Sequence, residues 1–216
     1  MFVLGLTGSI AMGKSTVAQM FRDISIPVHD ADASVHELYG GKAAPLIEEL
    51  FPGTTQDGVV DRQKLGEIVL NDPESMKRLE QVIHPLVREI EQEFVAQARL
   101  DNAPFVILDI PLLFETGAEN RVDGVIVVTA DQAEQRRRVL SRPNMTQAKF
   151  EAILARQTPD AIKRRKADFL IDTHSVKATS DSETSERNMA ATRMRVSEIT
   201  NQIISGNWKP HKTSVK

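Results

Sequence analysis

Near the N-terminus, Gly8-Ser9-Ile10-Ala11-Met12-Gly13-Lys14-Ser15 fits the pattern G-x-x-x-x-G-K-[ST]. Such a loop turns its backbone N–H groups inward around a phosphate, and a helix starting at its end adds partial positive charge. Glycine at positions 8 and 13 admits backbone angles that a Cβ would obstruct. Lys14 can reach the outer phosphates, and the Ser15 hydroxyl can bind Mg²⁺. The cradle is expected to comprise Gly8, Ala11, Met12, Gly13, Lys14, Ser15 and Thr16. The chemistry implied is binding of a nucleoside triphosphate with Mg²⁺.

Acids at strand ends decide what happens to the last phosphate. Asp30-Ala31-Asp32 directly follows an apolar run. One acid there can orient or deprotonate an acceptor hydroxyl, and the other can hold metal-bound water. Asp32 is expected to be catalytic. Asp30 reads equally as the cap of a helix beginning near Ala33. Asp109 ends the run Phe105-Val106-Ile107-Leu108 and is expected to hold Mg²⁺ through a water. Glu115, on spacing alone, reads as a surface carboxylate. No Asn-Lys-x-Asp segment of the guanine-reading type is present, so a GTPase is not expected. A kinase needs an acceptor site, an acid near the hydroxyl and a means of excluding water.

That means is a basic segment. Residues 131–166 carry ten Lys/Arg against four Asp/Glu, a local +6 in a chain of net charge −3. Alone, such a stretch reads as a solvated helix face, a nucleic-acid contact or a clamp for a small polyanion. Beside a phosphate loop the clamp is favoured, because the arginine fork binds two phosphate oxygens. Arg138 and Arg142 share a helix face if the helix continues that far, and Arg156 lies on the next helix. Such a segment can close over ATP.

The elements that must position these residues alternate. Short apolar runs at 2–6, 26–29, 105–110, 125–129 and 169–171 read as buried parallel strands. Helical patterns cover 14–21, 131–141, with Asp131 as cap, and 186–204. Asp72-Pro73 and Thr158-Pro159 read as helix starts. Positions 83, 86, 87, 90 and 94 form one apolar helical face, and His84-Pro85 reads as a break between two helices. The reading is an α/β fold with right-handed crossovers. Residues 30–104 exceed any plain crossover and imply a helical insertion. Residues 175–185 read as a polar loop and 206–216 as a frayed tail.

Composition excludes other classes. At 216 residues, 41% hydrophobic and 26% charged, the chain is an ordinary globular protein. No apolar run approaches the ~20 residues of a membrane helix, and no secretory signal is expected. With no cysteine there are no disulfides or thiolate metal sites, and a cytoplasmic location is permitted. One Trp and one Tyr argue against a stacking platform for nucleic acid. His84 alone reads as structural. Residue chemistry leaves open a kinase for any small hydroxyl acceptor, or a non-catalytic ATP-sensing regulator.

Ordered motifs narrow this. Gly5-Leu6-Thr7-Gly8 runs into the phosphate loop, followed by Asp30-Ala31-Asp32, Ile83-His84-Pro85 and Pro111-Leu112-Leu113-Phe114-Glu115. Arg142, Arg156-Gln157, Ala167-Asp168-Phe169 and Ile171-Asp172 come after. Over nearly its full length the chain resembles the bacterial dephospho-coenzyme A kinases. The resemblance implies transfer of the ATP γ-phosphate to the ribose 3′-hydroxyl of dephospho-coenzyme A, the last step of coenzyme A synthesis. It implies a P-loop kinase core with a five-stranded parallel sheet flanked by helices. On that plan the core is 1–29, 105–130 and 167–205, the helical acceptor domain 30–104, and the helical lid 131–166. Lys14, Asp32 and Arg142 would be catalytic, and Thr7, Asp32, His84 and Arg88 would bind the acceptor. A monomer or weak homo-oligomer without nucleic-acid or membrane partners is expected. Two departures stand out: Ala11 where the family often has glycine, and Thr173-His174 where many relatives have Asn-Gly.

Overall fold

Apolar runs without alternation need cover on both faces, which a parallel sheet between helices provides. The computed structural model describes residues 1–174 and 181–210, and its elements are those of the described residues. β1 (Phe2–Gly8) passes through the phosphate loop into α1 (Lys14–Asp23), and β2 (Val28–Asp30) follows. Next come α2 (Ala31–Tyr39), α3 (Ala44–Leu50), β3 (Thr55–Gln56), β4 (Val59–Val60), α4 (Arg62–Val69) and α5 (Pro73–Leu100). β5 (Phe105–Asp109), a 3-10 turn (Ala118–Arg121) and β6 (Gly124–Thr129) precede α6 (Gln132–Leu140), α7 (Gln147–Arg156) and α8 (Asp160–Lys166). β7 (Phe169–Asp172) and α9 (Asp181–Ile204) complete the order.

The chain divides into two units. One is built from Met1–His29 and the chain from Ala98 onward, the other from Asp30–Gln97. In the first, the parallel sheet runs β2-β5-β1-β6-β7. Its register places Leu6 opposite Asp109 and Gly8 opposite Val128, so the strands' carboxyl ends share one edge. Residues of one parity in each strand share a face. Leu4, Leu6, Phe105, Ile107, Ile126, Val128 and Ile171 pack there with Val17 and Phe21 of α1 and Val196, Ile199 and Ile203 of α9. Trp208 packs edge-on against Phe2 and tilted against Phe169. The segment expected to fray at 206 is therefore seated as far as Trp208, while 211–216 lie outside the described residues. The loop expected at 175–185 is also shorter, because α9 already begins at Asp181. Residues 175–180 lie outside the described residues.

The second unit has its own core, in which Leu38, Ile47, Phe51, Leu65, Val69, Leu79 and Ile83 are buried. The expected break at His84-Pro85 is absent, because Pro85 lies inside the single helix α5. Proline there loses one backbone hydrogen bond and costs about 3 kcal/mol. Apolar positions on both sides, Leu79 and Ile83 before it and Leu86, Val87 and Ile90 after it, join one core and hold the helix together. A hairpin also interrupts the expected all-helical insertion, with β3 and β4 pairing antiparallel. Asp57 and Gly58 turn it with φ of 52° and 77°. An Asp-Gly pair is the sequence signature of that turn.

Candidate active site

The phosphate loop lies where the motif requires, between β1 and α1 at the carboxyl edge of the sheet. Gly13 is its left-handed glycine, with φ 95°, and a Cβ there would stand 3.1 Å from the Thr173 methyl. Gly8 is needed for a different reason from the one expected. Its backbone angle is ordinary, but a Cβ would lie 2.6 Å from the Val128 carbonyl oxygen of β6. Ala11 carries φ 62°, which an L-residue adopts at a cost of about 1–2 kcal/mol. Its side chain is buried with Val139 and Phe150, which offsets part of that cost. Met12 faces the core, where its sulfur accepts the Ala130 N–H at 3.0 Å, and its own N–H donates to the Ser9 carbonyl at 3.2 Å. Ser15 and Thr16 are exposed in the first turn of α1.

Lys14 and Asp109, far apart in sequence, meet at this edge, with Lys14 Nζ ion-paired to Asp109 Oδ1. Asp109 is 2% exposed. Thr7 is fully buried, and its hydroxyl donates to the Pro111 carbonyl at 3.0 Å, tying the end of β1 to the loop after β5. Glu115 is not the surface carboxylate that spacing suggested. Its Oε1 accepts the Thr158 N–H at 2.6 Å and lies 3.0 Å from Nζ of the fully buried Lys163. Burial alone would raise its pKa, but the Thr158 N–H and the Lys163 ammonium outweigh burial and hold it below the usual carboxylate range.

The basic segment packs onto the loop. α6 ends at Leu140 with Ser141 as its cap, so Arg142 does not continue the helix face of Arg138 and stands exposed beyond it. Arg138 turns inward instead. It donates to Glu134 Oε1 at 2.6 Å, to the Thr173 hydroxyl at 2.8 Å and to the Thr173 carbonyl at 3.2 Å. The Thr173 hydroxyl in turn donates to the Met12 carbonyl at 2.9 Å. Arg137 grips Glu134 with two bonds of 2.7 Å. Chiefly through Arg137, against the opposing effect of burial, and with Arg138 adding to it, the Glu134 pKa falls to about 2. His174 pairs with Asp131, the N-cap of α6. Beside these residues lies a cavity of about 460 Å³, lined by Gly13, Thr16, Arg138, Thr173, His174 and Asn188 among others.

In the other unit, Asp30 caps α2 by accepting the Ala33 N–H at 3.1 Å, the structural alternative for this residue. Asp32 lies exposed in the first turn of α2. His84 and Arg88 are exposed one turn apart on α5.

The family model for dephospho-CoA kinase matches residues 2–178. The chain belongs to the dephospho-CoA kinase family. It is 58% identical over 180 residues to the dephospho-CoA kinase of Rhizobium etli, covering 83% of this chain and 89% of that one. Among solved structures, the Thermus thermophilus protein TT1252 superposes with a TM-score of 0.71 at 37% identity, covering 88% of this chain and 95% of that one. Dephospho-CoA kinase from Campylobacter jejuni superposes with a TM-score of 0.67 at 27% identity, covering 95% and 98%. This member of the dephospho-CoA kinase family is accordingly a kinase, and its five-stranded core is the one expected.

Sequence reasoning missed three contacts in this dephospho-CoA kinase fold. Gln157 accepts the Ile10 N–H at 3.0 Å, Gln135 donates to the Ile10 carbonyl at 2.9 Å, and Lys163 is buried beside Glu115. Gln157 stands beside Arg156 in a matching motif, the one signal that points to it. Lys163 is hidden by the charged run around it. Among the described residues no helix is long and apolar enough to cross a membrane.

Proposed function

We propose that the chain transfers the γ-phosphate of ATP to the ribose 3′-hydroxyl of dephospho-coenzyme A, giving coenzyme A and ADP. The reading is carried by Lys14 and Asp109 meeting at the phosphate loop, in a chain of this family. Loop residues 11–16 hold the phosphates, chiefly through backbone N–H groups, and Lys14 leaves Asp109 to neutralise charge on the transferring group. The adenosine part occupies the cavity beside Gly13, which Arg138, Thr173 and Asn188 of α9 also line. Thr7 acts through the Pro111 carbonyl that it holds. In the second unit Asp32 accepts the proton of the acceptor hydroxyl, and His84 and Arg88 bind the acceptor. Exposed Arg142 is a phosphate contact from the lid, residues 131–166, which excludes water while the hydroxyl attacks.

Mg²⁺ fits the oxygen donors at this edge. The Ser15 hydroxyl and, through a water, the Asp109 carboxylate would hold it, as hard oxygens suit this ion. No group of three or more His, Cys, Asp and Glu at metal-binding distance occurs among the described residues, and phosphate oxygens and waters would supply the ion's remaining ligands. When bound, it neutralises phosphate charge. A monomer or weak homo-oligomer in the cytoplasm is proposed.

The test is direct. Protein, Mg-ATP and dephospho-coenzyme A should yield coenzyme A and ADP together. ADP formed equally with other alcohols, or at the same slow rate without any acceptor, would overturn the assignment.

A further inference from the structure

We propose that Gln157, together with Gln135, is a positioning residue that holds the tip of the phosphate loop in its nucleotide-competent shape. This rests on the loop being the triphosphate site. Both backbone groups of Ile10 are taken by side chains from the 131–166 segment. Gln157 Oε1 accepts the N–H at 3.0 Å, and Gln135 Nε2 donates to the carbonyl at 2.9 Å. The next residue, Ala11, lies in the left-handed region without being a glycine, at φ 62°. An unfavourable torsion persists only where its surroundings over-determine it. Here those surroundings are the two glutamines and the contacts of Ala11 and Ile10 with Val139, Phe150, Met145 and Leu154.

Gln157 is itself anchored. Its backbone caps α7, and its neighbour Thr158 donates its N–H to Glu115 Oε1 at 2.6 Å, with Lys163 Nζ 3.0 Å from the same oxygen. A connected path thus runs from the loop after β5, through Glu115, Thr158 and Gln157, to Ile10. Its physical effect is preorganisation. With either glutamine gone, Ile10 bonds to water and the loop spends part of its time in other shapes. Apparent affinity then falls by the competent fraction, with little effect on a bound nucleotide's reactivity.

The experiment uses the full chain with Gln157→Met and Gln135→Met, singly and together. Methionine keeps the length of the side chain and removes its hydrogen bonds. ATP with Mg²⁺ is titrated calorimetrically, well below the melting temperature. Each single variant should raise the Kd for ATP about three- to tenfold, and KM for ATP with it, while kcat and KM for the acceptor stay within about twofold. The double variant should fall short of the product of the singles, since both act on one residue. A Kd unchanged in both singles, even with a lowered melting temperature, would make the glutamines merely structural and overturn the proposal. The kinase reading is judged separately. If the unaltered chain binds ATP but phosphorylates no acceptor, that reading fails, while the Kd comparison still decides this one.

Discussion

Lys14→Ala separates two jobs done by one side chain. In the structure its ammonium faces Asp109, with side chains 17% and 3% exposed. Deleting one partner of a buried pair costs about 3–5 kcal/mol. Partial access of the ammonium to water reduces that to about 2 kcal/mol. Asp109→Asn in the same chain removes the charge that lost its counter-ion and should return about 1 kcal/mol. Catalysis should respond differently. A preorganised donor lost from the transferring phosphoryl costs about 10²–10³ in kcat, or roughly 3–4 kcal/mol. The second substitution cannot restore it. Urea unfolding of the four proteins in the cycle gives the stability coupling, and single-turnover ADP formation gives the chemical step. Recovery of turnover in the double variant would refute the separation, because activity would then have been lost through the fold. Lys14→Ala turnover within tenfold of the unaltered chain would refute the loop assignment itself.

Three further outcomes are expected. Gly8→Ala places a methyl 2.6 Å from the Val128 carbonyl oxygen, backbone that cannot swing away, so β1 and β6 must separate. The result should be a large fall in melting temperature or insoluble protein, and a normal melt would contradict the close approach. Asp32→Asn should lower kcat at least about a hundredfold and leave the Kd for ATP within about twofold. Collapsed ATP affinity with kcat preserved would make Asp32 a nucleotide or structural residue. Glu134, at about 2 in the fold against an ordinary 4.5, adds stability above about pH 4.5 that is lost as pH falls toward 2. The difference corresponds to roughly 3 kcal/mol, and to about 1–2 kcal/mol once the exposure of Arg137 is allowed for. Glu134→Gln should therefore lower the pH 7 urea midpoint and flatten the acid limb in that range. An unchanged acid limb would count against the ion-pair account.

Much of the candidate site could be read from local chemistry. The strand–loop–helix placement of Lys14 and Ser15, the cap at Asp131 and the acid at the end of β5 depend on neighbours within a few residues. Two misreadings share a cause: each needed a partner distant in sequence. Pro85 reads as a breaker until Leu79, Ile83, Leu86 and Ile90 on either side of it are seen in one core with the distant Leu38, Ile47 and Phe51. Glu115 reads as a surface acid until Thr158 and Lys163 come against it. Arg142 is the exception, a local matter of where a helix stops: it continues the face of Arg138 only if α6 runs past Leu140, and it does not. The hairpin at Asp57-Gly58 is marked in the sequence by its turn residues alone, because two-residue strands carry almost no periodicity.

What the sequence by itself determined is the phosphate loop, the α/β alternation and the kinase family, since motif order and hydrophobic period are properties of the chain. What only the tertiary structure decided is which groups share space: Lys14 with Asp109, Ile10 with Gln135 and Gln157, Arg138 with Thr173. These partners lie 35 to 147 positions apart, and no pair sits on a single element. Parallel strands align their carboxyl ends whatever the length of chain between them, and so bring together residues whose spacing along the chain carries no trace of their contact.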